Sequence, residues 1–276
     1  MDQLPAAPRA ATAECALAAA PVSARTGERL FRGNRTEILL VDHPSYGSCV
    51  QKRLLAFCDV ETERGRIKGE ATLQMRARLP GVVPVFGHDS SSLYRSYVQG
   101  PTLVEWIKTA DKAPTLSQIA SIVCELCATV AALHTELALV HRDITPSNVY
   151  LESNQVLLSD FGLAFSACEP PRPSEFLQGS PRFLPPELLA GQAPSSAGDV
   201  YQIALLLAWL LKDTLRNFVP PSARGLSVGE QWSRARAWHE PARQVLKAHG
   251  CDSALDPDPR ERPSARELWV LIKSRS

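Results

Sequence analysis

The chain has 276 residues, 45% of them hydrophobic, which suffices to bury the core of one large domain or of two joined lobes. Its formal net charge of +1 gives no compositional support for a polyanionic partner, so we expect no nucleic-acid binding. The longest uninterrupted apolar run, residues 203–211, is too short to cross a bilayer, so we expect no membrane partner.

Cysteine usage is typical of a reducing compartment. Among the seven cysteines, only Cys124 and Cys127 lie close in sequence, within an apolar helical pattern that has no second C-x-x-C pair. Bound zinc or a redox pair is the less favoured alternative. We therefore expect an intracellular, soluble protein of the cytoplasm or nucleus.

Residues 1–27 are rich in alanine, proline and serine, a composition typical of a flexible tail. A short apolar segment at residues 15–20 follows Glu14 rather than a basic cluster, which argues against a secretory signal. We therefore predict a flexible N-terminal tail at 1–27 and a folded domain over 28–276.

The first part of this domain combines short strands with one helix. Apolar runs at residues 38–41 and 48–55 flank a turn-forming stretch that contains proline and glycine, which predicts two strands. Residues 66–79 repeat apolar side chains at helical spacing, so we expect a helix there, and this helix carries Glu70.

The second part is predicted to be mainly helical. Residues 116–137 place apolar side chains on one broad helix face, and residues 198–211 are apolar on all sides, which is typical of a buried helix. Residues 216–250 predict partial helix with no readable function, and surface packing is favoured over a docking site.

A polar loop after residue 140 organises the rest of the chain. It contains H-R-D at 141–143 and Asn148, then two apolar runs that predict a hairpin at 149–158, then D-F-G at 160–162. The hairpin folds the chain back, so Asn148 and Asp160 should converge near Asp143. Three oxygen-bearing side chains at one place can bind a hard cation and can accept the proton of a hydroxyl group.

This H-R-D-x-x-x-x-N block followed by D-F-G resembles the catalytic core of the protein kinase family. The nine residues at 179–187, G-S-P-R-F-L-P-P-E, are similar to the end of that family's activation segment, and 258–264 are similar to a motif near its C terminus. The resemblance implies an α+β, two-lobed fold with a small β-rich N-lobe (about 28–97) and a larger, mostly α-helical C-lobe (about 98–276). The I-T-P-S-N wording at 144–148 is also similar to that of some viral and bacterial kinases.

The resemblance assigns roles to five side chains. Asp143 would be the catalytic base, and Asn148 and Asp160 would hold Mg²⁺. Lys52 would contact the α and β phosphates of ATP, and Glu70 would pair with Lys52 and hold it in place. Lys52, Glu70, Asp143 and Asn148 are therefore the expected catalytic residues.

The loop that covers the phosphates departs from the family's G-x-G-x-x-G pattern. Gly33 is the only one of the three glycines that remains, and Phe31 and Thr36 take the other two positions, while Ile38 follows the loop. Glycines there let backbone N–H groups approach phosphate without a side-chain clash. We expect Gly33 and Ile38 to contact the nucleotide. We also expect the loop to be stiffer than the family's loop and to bind the phosphates less tightly.

The connection between the lobes would bind adenine through the backbone of Ser96 and Val98. This alignment puts Arg95 at the gatekeeper position, an uncommon choice because that side chain faces the apolar back of the pocket. Thr145 replaces the lysine that common serine/threonine kinases carry two residues after the catalytic aspartate. We expect the lost positive charge near the γ-phosphate to lower turnover.

The closing signature at 179–187 is typical of kinases directed at serine and threonine, and Ser180 in it is expected to contact Asp143. Arg142 could clamp a phosphate on the activation segment, for which Ser174 is the nearest acceptor and Ser166 the second.

Two further acidic residues are expected to be structural. The resemblance implies that Glu187 pairs with Arg262 and that Asp199 anchors the backbone of the H-R-D loop.

The leading prediction is a monomeric, ATP- and Mg²⁺-dependent kinase acting on protein serine or threonine. One alternative is a non-catalytic scaffold or allosteric binding protein of the same fold, which the departures at Phe31, Thr36, Arg95 and Thr145 favour. A second is a small-molecule kinase, against which the 179–187 signature and Arg262 argue.

Overall fold

The computed structural model describes residues 27–33, 35–55, 60–217 and 228–275. Nearly all of the predicted N-terminal tail, residues 1–26, lies outside the described residues. The N-terminal part is built on a sheet and the C-terminal part on helices, so the predicted two-lobed α+β fold is confirmed.

The N-lobe contains a five-stranded antiparallel sheet in the order β1-β2-β3-β5-β4. Its strands are β1 (Arg29–Arg32), β2 (Thr36–His43), β3 (Gly47–Leu54), β4 (Val85–His88) and β5 (Ser92–Arg95). Ile38 on β2 lies opposite Lys52 on β3, and Lys52 lies opposite Leu93 on β5. Lys52 therefore lies on a central strand, where its backbone is fixed from both sides.

Helix α1 (Val60–Arg76) crosses between β3 and β4 and packs on the sheet. Its residues Ile67 and Ala71 form a buried apolar cluster with Leu93 of β5. This packing fixes the rotation of the helix, and Glu70, one position before Ala71, is buried on the inner side. The helix begins six residues before the predicted start at residue 66 and ends three residues before the predicted end.

The C-lobe contains the remaining helices and three pairs of short strands or bridges. Its first elements are α2 (Leu103–Thr109), α3 (Leu116–Glu136), β6 (Leu139–Val140), β7 (Val149–Glu152), β8 (Gln155–Leu158) and β9 (Phe165–Ser166). The helices that follow are α4 (Pro186–Leu189), α5 (Ser196–Leu211), α6 (Asp213–Arg216), α7 (Val228–Ala235), α8 (His239–Ala248) and α9 (Ala265–Lys273).

The predicted hairpin is present as β7 and β8, with Ser153 and Asn154 in the left-handed region at φ 49° and 66°. Such angles at both central residues are those of a two-residue hairpin turn. The turn reverses the chain directly after Asn148 and returns it to Asp160, so the local geometry of the loop follows from the hairpin.

Helices α3 and α5 form the centre of the C-lobe core, and α9 packs against α3. From Gly198 to Leu210 every side chain of α5 is buried, as its all-round apolar sequence predicts. Helix α3 is also the one helix in the described part of the chain with the length and composition to cross a membrane. Its eight buried residues pack in this core, and core helices often pass the same test.

The segment 216–250 is partly helical, as predicted, and contributes α7 and α8. Trp238 at the start of α8 is buried, its ring packs edge-on against Phe183, and its indole N–H donates to the carbonyl of Arg182. Part of this segment therefore packs against Arg182 and Phe183 at the end of the activation segment.

Candidate active site

A three-residue ion-pair network lies between the two lobes. The Lys52 amine lies 2.9 and 3.0 Å from the two Glu70 carboxylate oxygens and 2.8 Å from Oδ1 of Asp160. Strand β3, helix α1 and the D-F-G turn each contribute one side chain. The predicted Lys52–Glu70 pair is thus formed, and it connects directly to Asp160.

Lys52 and Asp160 each stabilise the charged form of the other. Burial alone would lower the pKa of Lys52, but the carboxylates of Asp160 and Glu70 raise it above its ordinary value. Burial likewise favours the neutral form of Asp160, yet the adjacent Lys52 charge lowers the pKa of that carboxyl to about 2. Lys52 is therefore a fixed cation and Asp160 a fixed anion at neutral pH.

The catalytic loop is fixed by the N-terminal turn of α5. The Asp199 carboxylate accepts hydrogen bonds from the backbone N–H groups of His141 and Arg142, at 2.8 and 2.7 Å, and a third from the His134 ring at 2.8 Å. Gln202, one turn further along α5, bonds the N–H of Ile144 and the carbonyl of Arg142. The expected Asp199 anchor is present, and Gln202 extends it.

Two residues of the site have a strained backbone, and the Asp199 and Gln202 anchors hold one of them, Arg142. Arg142 has φ +72° and Asp160 has φ +65°, a region that non-glycine residues seldom adopt. Such angles persist where surrounding bonds overdetermine them, and they cluster at functional sites. The two strained residues flank Asp143 and the Lys52 network.

Asp143 is held by two neighbours. The Asn148 amide nitrogen donates to its carbonyl at 2.8 Å and to its carboxylate Oδ2 at 3.1 Å, and the backbone N–H of Ser180 donates to Oδ1 at 3.1 Å. Burial, with the negative charge of Asp160, raises the pKa of Asp143, while the bonds from Ser180 oppose the rise. The expected contact between Ser180 and Asp143 is therefore made by the Ser180 backbone.

The oxygens near Asp143 suit a hard cation. The Asn148 amide uses its nitrogen on Asp143, which leaves its oxygen without a hydrogen bond from any described residue. The Asp160 side chain is 43% exposed and uses Oδ1 on Lys52 and on the N–H of Gly162. Its second carboxylate oxygen and the Asn148 amide oxygen are ligands of the type that Mg²⁺ takes.

Of the predicted nucleotide-binding residues, Gly33 lies in the turn between β1 and β2, and Ile38 lies on β2. Gly33 uses its N–H on the carbonyl of Thr36 within the β1–β2 turn, and the exposed Phe31 ring lies against Gly33. Half-buried Ile38 lies across the sheet from Lys52. The aromatic side chain of Phe31 therefore lies where the family pattern has glycine.

The connection between the lobes contains Ser96 and Val98. The Ser96 N–H donates to the carbonyl of Pro84, and buried Val98 packs with Val83 and Leu157. Arg95 is also buried: its guanidinium donates to the Ser96 carbonyl and to the Tyr150 hydroxyl. The Ser96 carbonyl, part of the backbone predicted to bind adenine, therefore accepts one hydrogen bond from Arg95.

Arg142 contacts the activation segment directly. Its guanidinium donates to the carbonyls of Glu175 and Phe176, at 2.6 and 3.0 Å. Ser174 is exposed on the adjoining helical turn, whereas Ser166 is buried in β9 and unsuited to modification. Of the two predicted phosphate acceptors, only Ser174 lies on the surface next to Arg142.

A buried ion pair closes the activation segment onto the C-lobe. Arg262 makes two parallel bonds to Glu187, at 2.8 and 2.7 Å, with both side chains almost fully buried. Arg262 also stacks over the Tyr201 ring at 4.6 Å. The predicted pair is therefore formed.

Two functional contacts were not predicted from the sequence. The Arg95–Tyr150 hydrogen bond joins residues 55 positions apart, and Gln202 bonds the catalytic loop from 58 and 60 positions away. The Arg95–Tyr150 contact depends on how the two lobes pack, and the Gln202 contacts depend on how α5 packs within the C-lobe. A polar residue in the otherwise apolar α5 could have indicated Gln202.

The sequence has many similar proteins of one kind. The model of the protein kinase domain matches residues 49–270. A mouse protein named inactive serine/threonine-protein kinase PLK5 is 28% identical over 74% of this chain and 34% of its own length. Serine/threonine-protein kinase pkn2 of Myxococcus xanthus is 28% identical over 70% of this chain and 26% of its own length.

An Aurora kinase of Yarrowia lipolytica is 28% identical over 66% of this chain and 50% of its own length. The chain therefore spans between about a quarter and a half of the length of these relatives. The family model covers most of the chain, and the ion-pair network and anchored loop lie within its match. The chain belongs to the protein kinase family.

Proposed function

We propose that the chain is an ATP-dependent protein serine/threonine kinase, with Asp143 as the catalytic base. The observation that carries the proposal is the continuous arrangement of Lys52, Glu70 and Asp160 beside the Asp143–Asn148 pair. Phosphoryl transfer needs a cation for the phosphates, oxygen ligands for a metal ion and a base for the hydroxyl, and this arrangement supplies all three. We also propose that its partner is a protein substrate and that the chain acts as a monomer.

The proposed transfer moves one phosphoryl group. The substrate hydroxyl oxygen forms a bond to the γ-phosphorus while the bond from that phosphorus to the β–γ bridging oxygen breaks, releasing ADP. Asp143 accepts or orients the hydroxyl proton, and its fixed position supplies alignment, which is most of what this reaction needs. Lys52 contacts the α and β phosphates. Asn148 and Asp160 would hold Mg²⁺, which would neutralise phosphate charge.

Substrate class follows from the activation segment. Ser180 lies against Asp143, and the 179–187 sequence ends in Glu187, whose pair with Arg262 fixes it to the C-lobe. Such a fixed platform beside the base favours an extended peptide over a small molecule. The substrate hydroxyl is proposed to be that of serine or threonine, since 179–187 resembles the segment of that class.

The second candidate is a non-catalytic kinase-fold protein that acts as a scaffold or allosteric binder. Three observations favour it: the aromatic Phe31 in the phosphate loop, Arg95 in the slot between the lobes, and a relative whose name states that it is inactive. Buried Thr145 also leaves the catalytic loop without the usual lysine. This candidate keeps the fold and the ion pairs and differs only in turnover.

The test is phosphate transfer from labelled ATP with Mg²⁺ to a generic protein substrate, with Asp143→Asn as the matched control. We expect wild-type incorporation to exceed that of Asp143→Asn by at least a hundredfold, in the range of general-base contributions. Equal background incorporation by both would contradict the kinase proposal. A nucleotide-induced rise in melting temperature would then identify a binding scaffold.

A further inference from the structure

Arg95 occupies an unusual place for a charged side chain. It ends β5, directly before the connection to the C-lobe, and it is only 9% exposed. No described carboxylate forms an ion pair with it. Its guanidinium bonds two neutral oxygens, so its remaining N–H donors can serve a ligand that offers acceptors.

The guanidinium crosses the cleft from the N-lobe to the C-lobe. One nitrogen lies 3.3 Å from the Ser96 carbonyl oxygen, and the other lies 3.2 Å from the Tyr150 hydroxyl, whose ring is 5.6 Å from the guanidinium carbon. Tyr150 lies on β7 and packs with Val98 of the connection. Arg95 therefore lies between the connection and the hairpin, where a base would be inserted.

The charge of Arg95 also acts on the Glu70 carboxyl. Burial raises the pKa of the Glu70 carboxyl, and the positive charges of Lys52 and Arg95 oppose that rise. Arg95 is thus close enough for its field to act on the Lys52–Glu70 pair. A nucleotide whose phosphates reach Lys52 would bring its base toward Arg95.

The chemistry of the guanidinium distinguishes the two purines. A guanidinium carries five N–H donors and no acceptor, and the two contacts above use only part of them. The O6–N7 edge of guanine presents two acceptors and pairs bidentately with arginine, whereas adenine presents one acceptor and one amino donor on that edge. The Ser96 carbonyl, which could receive an adenine amino group, is already bonded to Arg95.

We infer that Arg95 is a specificity-determining residue that reads the O6–N7 edge of a purine, so that the slot accepts guanine nucleotides at least as well as ATP. The inference rests on the proposed function, because it assumes that the cleft binds a nucleoside triphosphate as phosphoryl donor. It adds GTP to the phosphoryl donors of the proposed reaction. It also assigns the selection between guanine and adenine to the Arg95 side chain.

The test is equilibrium binding of ATP and GTP, each with Mg²⁺, to the full chain and to Arg95→Met. We expect the wild-type protein to bind GTP at least as tightly as ATP. Arg95→Met removes the donors and frees the Ser96 carbonyl, so we expect it to shift the affinity ratio at least tenfold toward ATP. Tyr150→Phe keeps the guanidinium and should retain the wild-type ratio within about threefold.

The matched control is Arg53→Met, on the neighbouring strand, where the arginine pairs with Glu37 away from the slot. It should leave the ratio unchanged. If Arg95→Met does not fold, judged by its melting curve, Arg95→Gln serves instead, because it also removes the charge and the two-donor fork. If the variant binds ATP and GTP more tightly by the same factor, Arg95 only blocks the slot, and the inference is overturned. A wild-type protein that binds ATP more tightly than GTP would also overturn it.

The two claims fail separately. Asp143-dependent transfer from ATP, together with an affinity ratio that Arg95→Met does not alter, would overturn the base-reading role and leave the kinase proposal intact. A guanine preference that Arg95→Met removes, with equal transfer by wild type and Asp143→Asn, would overturn the kinase proposal alone.

Discussion

At the scale of single residues, Lys52 joins two carboxylates that come from opposite sides of the cleft. Its amine lies within 3.0 Å of Glu70 on α1 and 2.8 Å of Asp160 in the D-F-G turn. One cation therefore compensates two anions, and the N-lobe helix is linked to the catalytic loop through it.

We predict that Lys52→Met lowers the free energy of unfolding by about 3 kcal/mol, because it leaves Glu70 buried beside Asp160 without a counter-ion. This free-energy loss is at the low end of the range for breaking a buried ion pair, because the Asp160 side chain is 43% exposed. Urea unfolding of the two proteins measures it. Lys52→Arg keeps the charge and should lose less than half as much; equal losses would show that the charge contributes nothing.

At the residue scale, the sequence predicted which motif side chains lie close together, and it did not predict the contacts of Arg95. Asp143, Asn148, Lys52 and Glu70 could be identified because the spacing of each motif is fixed by a local hairpin or helix. Arg95 was identified as a departure, but its contact with Tyr150 depends on how the lobes close. Long-range polar contacts of this kind leave no periodic signal.

At the scale of elements, the end of the activation segment is held by the start of α8. The Arg182 carbonyl accepts bonds from the Trp238 indole and, at 2.7 Å, from the Nε2 of His239. The other ring nitrogen, Nδ1, lies 3.0 Å from the Tyr201 hydroxyl and 3.3 Å from Nε of Arg236. Nδ1 can accept these bonds only while His239 is neutral.

Protonation of His239 is therefore coupled to unfolding. Burial lowers the pKa of His239 from 6.5 to about 3, so below pH 6.5 the unfolded chain binds a proton that the folded chain does not. Stability attributable to this group is thus intact above pH 6.5 and falls as the pH drops toward 3. We predict a loss of about 1–2 kcal/mol between pH 6.5 and 5.

Urea unfolding at several pH values measures this loss, with His239→Gln as the comparison. Glutamine does not titrate, so the pH dependence of its unfolding free energy should be flatter by the same amount over that range. His141 is also buried with a lowered pKa and contributes equally to both proteins. Parallel pH curves for the two proteins would contradict the assignment to His239.

The activation segment offers a further element-scale prediction. Arg142 bonds the carbonyls of Glu175 and Phe176, the two residues that follow Ser174. We predict that Ser174→Ala lowers transfer activity only if Ser174 is modified in the purified protein. Activity measured beside intact-mass spectrometry decides this: unchanged activity with no phosphate on the wild type would discard the switch, and Ser166→Ala is the control at a buried site.

Element boundaries were predicted well where apolar repeats exist. Strands β2 and β3, helix α3 and helix α5 lie within two residues of their expected ends. Helix α1 starts earlier than expected because its first turn contains Glu61 and Glu63, which favour a helix N terminus but give no apolar repeat. Capping and dipole effects set that start, and the apolar pattern does not report them.

At the scale of the whole molecule, the Glu187–Arg262 pair joins two segments that are 75 residues apart. Both side chains are at most 2% exposed, and Arg262 also bonds the carbonyls of Asp256 and Ala197. The pair thereby connects the activation segment, α5 and the loop before α9 in one network. The orientation of the substrate platform depends on it.

We predict that Arg262→Leu lowers the unfolding free energy by about 3–5 kcal/mol, because it leaves Glu187 charged and buried without a partner. The double variant Glu187→Leu with Arg262→Leu should recover part of that loss, since no charge is then isolated. Denaturant unfolding of the three proteins measures both effects. A double variant that is less stable than Arg262→Leu alone would contradict this explanation.

The central claim is that Asp143, aligned by Asn148 and Ser180, supports phosphoryl transfer in spite of the altered phosphate loop. Single-turnover transfer at saturating nucleotide tests it most directly, because saturation removes differences in binding and leaves the chemical step. The account predicts that wild type transfers phosphate at least a hundredfold faster than Asp143→Asn at equal nucleotide occupancy. Equal rates for the two proteins, with both fully occupied, would contradict it.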